Sequence, residues 1–100
     1  MTQYHKLVRD KIPDRLDQKG IPYEKTVAVG EELRAALVQK LLEEAQEFSE
    51  AGAVEELADV LEVVASLRAL PEYAAVERIR EEKKEERGGF EKGFILKGEK

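Results

Sequence analysis

Over most of this chain the hydrophobic residues recur at helical spacing. From Glu31 to Ala51, Leu33, Leu37, Leu41 and Phe48 fall on one arc of a segment otherwise rich in Ala, Glu and Gln, and Gly52 supplies a stop. A second helix is predicted from Ala53 to Leu70, closed by Pro71. A third runs from Pro71 or Glu72 to Arg87 and ends at Gly88-Gly89. Ahead of them, Pro13 suits the first turn of a short helix through Gln18, with Gly20 as its cap. Two segments depart from this pattern. Tyr23–Val29 alternates and carries the β-prone Thr26, Val27 and Val29, and residues 90–97 offer it a partner. The expected fold is all-α: a helical bundle of three main helices, a short N-terminal helix and a small β element from 23–29 and 90–97. It fills a single domain over residues 1–100, with no internal repeat and no linker.

The second helix also bears on assembly. Leu57, Leu61 and Val64 lie on one face, with Val60, Val63, Leu67 and Leu70 opposite, leaving a narrow polar stripe of Glu55, Asp59, Glu62 and Ser66. A helix apolar on most of its circumference is buried on most sides. In 100 residues that calls for a second subunit to complete the bundle, so a homo-oligomer is expected.

Composition narrows the chemistry. There are no cysteines, which removes disulfides, thiolate zinc sites and thiol nucleophiles, and a single histidine, His5. No apolar run approaches a membrane span and no signal peptide opens the chain, so a cytoplasmic protein with no membrane partner is expected. The net charge of −5 argues against a general nucleic-acid binder. Its distribution matters more. Residues 1–40 hold eight Lys/Arg against six Asp/Glu, residues 41–77 hold one against ten, and residues 78–100 hold eight against six. An acidic centre thus lies between basic flanks.

Within that centre, Glu44 and Glu47 lie three residues apart, Glu44 inside the arc of Leu33, Leu37, Leu41 and Phe48. Glu56 and Asp59 repeat the spacing on the next helix, Glu56 among Val60, Val63 and Leu67. A short turn at Gly52 makes the two helices antiparallel neighbours, and facing apolar arcs bring the two acid pairs together. Buried carboxylates need a compensating cation, and the acidic stretch contains only Arg68. A divalent ion would serve, and all-oxygen ligands select Mg2+ or Mn2+. The bland alternative is a solvated acidic face, since 22 acids in 100 positions give roughly five acid pairs at any fixed spacing by chance.

The run Leu42-Glu43-Glu44-Ala45-Gln46-Glu47 reads as EExxE and Glu56-Leu57-Ala58-Asp59 as ExxD. Together they resemble the signature of the all-α nucleoside triphosphate pyrophosphohydrolases, the MazG and phosphoribosyl-ATP pyrophosphohydrolase-like superfamily. Lys6-Leu7-Val8-Arg9-Asp10-Lys11-Ile12-Pro13 and Arg87-Gly88-Gly89-Phe90-Glu91-Lys92-Gly93 resemble the flanks of a small subgroup of it. The resemblance implies a homodimer or homotetramer with Mg2+ held by Glu44, Glu47, Glu56 and Asp59, and hydrolysis of a nucleotide to monophosphate and pyrophosphate as a house-cleaning reaction. Glu43, matching the first acid, is the candidate proton acceptor. Only eight residues separate Glu47 from Glu56, a shorter gap than is usual in MazG proteins. Candidate phosphate-binding cations are Lys6, Arg9 and Lys11 in one set and Arg80, Lys83, Arg87 and Lys92 in the other. The alternatives are a phosphoribosyl-ATP pyrophosphohydrolase of histidine biosynthesis, or a non-catalytic oligomer binding a nucleotide or a partner. A P-loop, a Nudix helix and a histidine-based phosphohydrolase site are all missing from the sequence.

Overall fold

Short-range preferences set the helices, and the computed structural model describes them over residues 6–99. The single histidine, His5, lies outside the described residues. The first helix, α1 (Ile12–Gln18), starts with Pro13 in its first turn. The long α2 (Gly30–Ala51) has Glu31 and Glu32 in its first turn, where they meet the positive end of the helix dipole. It ends at Gly52, whose left-handed backbone (φ 64°) lets its N–H donate to the Phe48 carbonyl at 2.8 Å. Helix α3 (Val54–Arg68) begins two residues later, with Glu55 and Glu56 in its first turn and Arg68 in its last. The chain then makes a 3-10 turn over Pro71–Tyr73 before α4 (Val76–Arg87).

The third main helix therefore begins later than predicted. Pro71 opens a tight turn in which the Ala74 N–H donates to the Pro71 carbonyl, and Arg34 donates to the Tyr73 hydroxyl at 3.3 Å. This contact holds the turn against the start of α2. An Arg68–Glu77 ion pair at 3.0 Å links the end of α3 to α4.

The all-α expectation holds, but the arrangement is a helical hairpin more than a closed bundle. Helices α2 and α3 pack along one another, α3 meets the 3-10 turn, and the other elements touch only marginally. The described residues contain no strand, so the small β element of 23–29 and 90–97 is corrected to two segments without strand pairing, the second opening with a turn in which the Gly93 N–H donates to the Phe90 carbonyl at 3.0 Å. Val27 is 82% exposed and Phe90 98% exposed. β-prone residues alone do not make a sheet, because a strand needs a partner and a surface to cover.

The core is correspondingly thin. Leu37 and Val63 are the buried apolar side chains among the described residues. The radius of gyration is 17.9 Å, against about 13 Å for a compact domain of this length. The accessible surface of 9405 Å2 compares with the roughly 5700 Å2 expected of a folded monomer of this mass. Among the described residues no helix is long and apolar enough to cross a membrane.

Candidate functional site

The inward stripe of α2 steps through Leu33, Leu37, Leu41, Glu44 and Phe48, all buried or half-buried. Glu44, seven residues on from Leu37, points the same way and is only 7% exposed. One of its carboxylate oxygens lies 3.2 Å from the Lys40 ammonium. The other, Oε2, is buried and has no hydrogen-bond partner. An unmade bond of this kind costs about 1–3 kcal/mol, so the position is poor for stability and needs another explanation.

Cations other than Arg68 answer the acidic cluster. Arg68 is engaged with Glu77. Lys40 bridges Glu43 at 3.5 Å and Glu44 at 3.2 Å. Lys6 donates to Glu43 at 3.2 Å, and Arg9 donates to Asp59 at 2.6 Å. The sequence reading missed Lys40, although it lies three and four residues from Glu43 and Glu44 at helical spacing. Both partners in the Arg9–Asp59 pair are well exposed, at 58% and 41%. Such a pair is worth at most about 1 kcal/mol.

These contacts tune the carboxylates in opposite directions. The hydrogen bond from Lys6, helped by the charge of Lys40, holds Glu43 below the ordinary carboxylate range. Repulsion from Glu44, with smaller contributions from lost water and from Glu43, pushes Glu47 above that range, against the pull of Lys40. Glu47 is exposed and Glu56 half-buried, and neither has an ion-pair partner among the described residues.

The donor chemistry suits a hard divalent cation: oxygens only, one of them buried without a partner. The number gathered falls short. Among the described residues no group of three or more Asp, Glu, His or Cys side chains stands close enough to hold an ion. Glu44 and Glu47 interact, whereas Asp59 is held by Arg9 and Glu43 by the two lysines.

The basic flanks divide in the same way. Lys6 and Arg9 reach the acidic helices, and Lys11 lines a cleft beside them. Arg80 pairs instead with Glu77 on its own helix. Lys83 and Arg87 are exposed on α4, and the Lys92 ammonium sits 5.9 Å from the centre of the Phe94 ring. Among the described residues none of these four pairs with Glu43, Glu44, Glu47, Glu56 or Asp59.

A pH dependence follows. A carboxyl raised above its unfolded value of 4.5 contributes fully below that value, and the contribution is lost as pH rises through the folded value. Glu47→Gln removes this loss. In chelator, its melting temperature relative to wild type should become more favourable from about pH 4 to about pH 7. A difference that shrinks over that range would mean that the 44–47 repulsion is not felt in solution.

Comparison with protein families, curated proteins and solved structures gives no significant match.

Proposed function

We propose that this protein is a Mg2+-dependent nucleoside triphosphate pyrophosphohydrolase, with Glu44, Glu47, Glu56 and Asp59 as its metal ligands and Mn2+ as an acceptable substitute. The observation that carries the reading is the buried, unpartnered Oε2 of Glu44, next to the carboxylate of Glu47 that it repels. A chain does not gain stability from such a pair, and a divalent cation removes both penalties at once. The resemblance of EExxE and ExxD to the pyrophosphohydrolase signature supplies the reaction class.

When held by these carboxylates, a divalent ion would neutralise phosphate charge and make a nearby water more acidic. The chain's residues do the rest. Glu43, next to Glu44 in sequence, is the assigned acceptor of the water's proton, and its pairs with Lys6 and Lys40, which weaken it as a base, would have to loosen for it to act. Attack of water on the α-phosphorus, its proton passing to Glu43, would break the phosphoanhydride bond to the β-phosphate and release nucleoside monophosphate and pyrophosphate. Phosphate charge is met first by Lys6, Arg9 and Lys11, which already lie along the acidic helices. Lys83, Arg87 and Lys92 are a second set, and Arg80 would first have to leave Glu77.

The site belongs to an oligomer in this reading. Leu42 and Leu61 are each 61% exposed, with Val54 and Leu57 exposed beside them on the hairpin. The surface in excess of a compact monomer, roughly 3700 Å2 per chain, exceeds the roughly 1000–2500 Å2 that each subunit of an obligate homodimer buries, so there is ample surface for a partner to cover. Sedimentation should show a dimer or tetramer, and the melting temperature should rise with protein concentration. A concentration-independent monomer would contradict this part.

A panel of ribo- and deoxyribonucleoside triphosphates with Mg2+ or Mn2+, scored for pyrophosphate, tests the activity. Release from at least one nucleotide is expected, with Glu44→Gln and Asp59→Asn each reducing it at least about a hundredfold. No release from any nucleotide with either ion would overturn the proposal.

A further inference from the structure

We infer that the cleft between the N-terminal segment and α3 seats the polyphosphate of a nucleotide, with Arg15 as a binding residue and Arg9 as an exchangeable latch that leaves Asp59 for phosphate. The cleft has a volume of about 380 Å3 and is lined by Arg9, Asp10, Lys11, Ile12, Arg15 and Glu62. Three of its six lining residues are cations, drawn from a stretch of seven residues. Arg9 is held by Asp59, while Arg15 and Lys11 have no carboxylate partner within ion-pair distance among the described residues.

The cleft holds three cations against the two carboxylates of Asp10 and Glu62, and Lys11 and Arg15 are the two cations not committed to an ion pair among the described residues, so an anion entering it meets them first. The opposite wall gives that anion its direction. Glu62 lies one turn along α3 from Asp59, so the cleft runs along the acidic face toward the candidate metal ligands. A polyanion lying in it has the guanidinium and ammonium groups of Arg9, Lys11 and Arg15 on one side and Glu62 of α3 on the other. A guanidinium binds phosphate oxygens through two parallel N–H donors, a geometry lysine cannot supply. The Arg9–Asp59 pair is exposed and weak, so a polyphosphate competes for Arg9 at little cost. When Arg9 leaves, the Asp59 carboxylate is released. The cleft itself rests on geometry, whereas assigning the anion to a nucleotide rests on the proposed hydrolase function.

The test is calorimetric titration of the full chain, in chelator and low salt, with inorganic tripolyphosphate and with ATP. Both should bind. Arg9→Ala and Arg15→Ala should each weaken tripolyphosphate about tenfold. Asp59→Asn, which frees Arg9, should tighten it about threefold. Arg78→Ala, on α4 and paired with Glu82, controls for general charge and should leave binding unchanged. Melting curves of each variant separate lost binding from lost folding. Wild-type binding by Arg15→Ala and Arg9→Ala, or weaker binding by Asp59→Asn, overturns the assignment. If nucleotides are hydrolysed while those variants bind normally, the cleft is wrong and the hydrolase reading stands. If the variants behave as expected while no nucleotide is turned over, the cleft stands and the hydrolase reading falls. Binding of tripolyphosphate without ATP overturns the nucleotide as ligand.

Discussion

Replacing Glu44 with leucine should raise the melting temperature in chelator by about 5 °C while abolishing Mg2+-dependent pyrophosphate release. Both effects come from the same buried atom. Oε2 of Glu44 has no partner, and removing an unsatisfied buried oxygen recovers about 1–3 kcal/mol. Lys40 loses one carboxylate but keeps Glu43 3.5 Å away, so little of that gain is returned. In a domain of this size each kcal/mol moves the melting temperature by about 4–8 °C. The variant also repels Glu47 less, since repulsion from Glu44 is the largest cause of the raised Glu47 pKa. Stabilisation of the wild type by added Mg2+, about 2.7 kcal/mol at a hundredfold excess over the dissociation constant, should be missing from the variant. A lower melting temperature in chelator would mean that the Lys40–Glu44 pair outweighs the unpartnered oxygen. Glu44 would then be structural.

Leu37→Ala should lower the melting temperature by at least about 10 °C and leave part of the protein unfolded at physiological temperature. Leu37 and Val63 are the buried apolar side chains among the described residues, one on each helix of the hairpin. Truncating a buried leucine to alanine costs about 2–5 kcal/mol, a large share of any small domain's stability. A core this thin has little else to redistribute the load. Leu96→Ala, at a side chain 94% exposed in the C-terminal segment, should stay within about 0.5 kcal/mol of wild type. Circular-dichroism melts of the two variants make the comparison, and equal effects would show that the stabilising contacts lie elsewhere than in the α2–α3 interface.

Features with local causes were legible in the sequence. Gly52 ends α2 because a left-handed residue is needed there, and glycine adopts that conformation without strain. Glu44 falls on the buried stripe because its spacing from Leu37 and Leu41 is helical. Lys40 was equally legible by spacing, but a charge count over residues 41–77 places it one position outside the acidic stretch. Nonlocal contacts were not legible. Arg9 meets Asp59 across fifty residues of chain, and no periodicity encodes that meeting. The expected β element failed for a related reason: Val27 and Phe94 have strand preferences, but whether a partner strand lies alongside is a matter of tertiary structure. The late start of α4 depends on Tyr73 reaching Arg34 on α2, again a contact between distant residues.

The proposed site stands or falls on whether Glu44 and Glu47 bind a divalent cation. Titration of the protein with Mn2+, followed by electron paramagnetic resonance of the free ion, tests it without substrate. Saturable binding is expected, displaced by Mg2+ and weakened at least about tenfold by Glu44→Gln or Glu47→Gln. Binding that never saturates, or that both variants leave unchanged, would contradict the account and reduce the acidic helices to a charged surface.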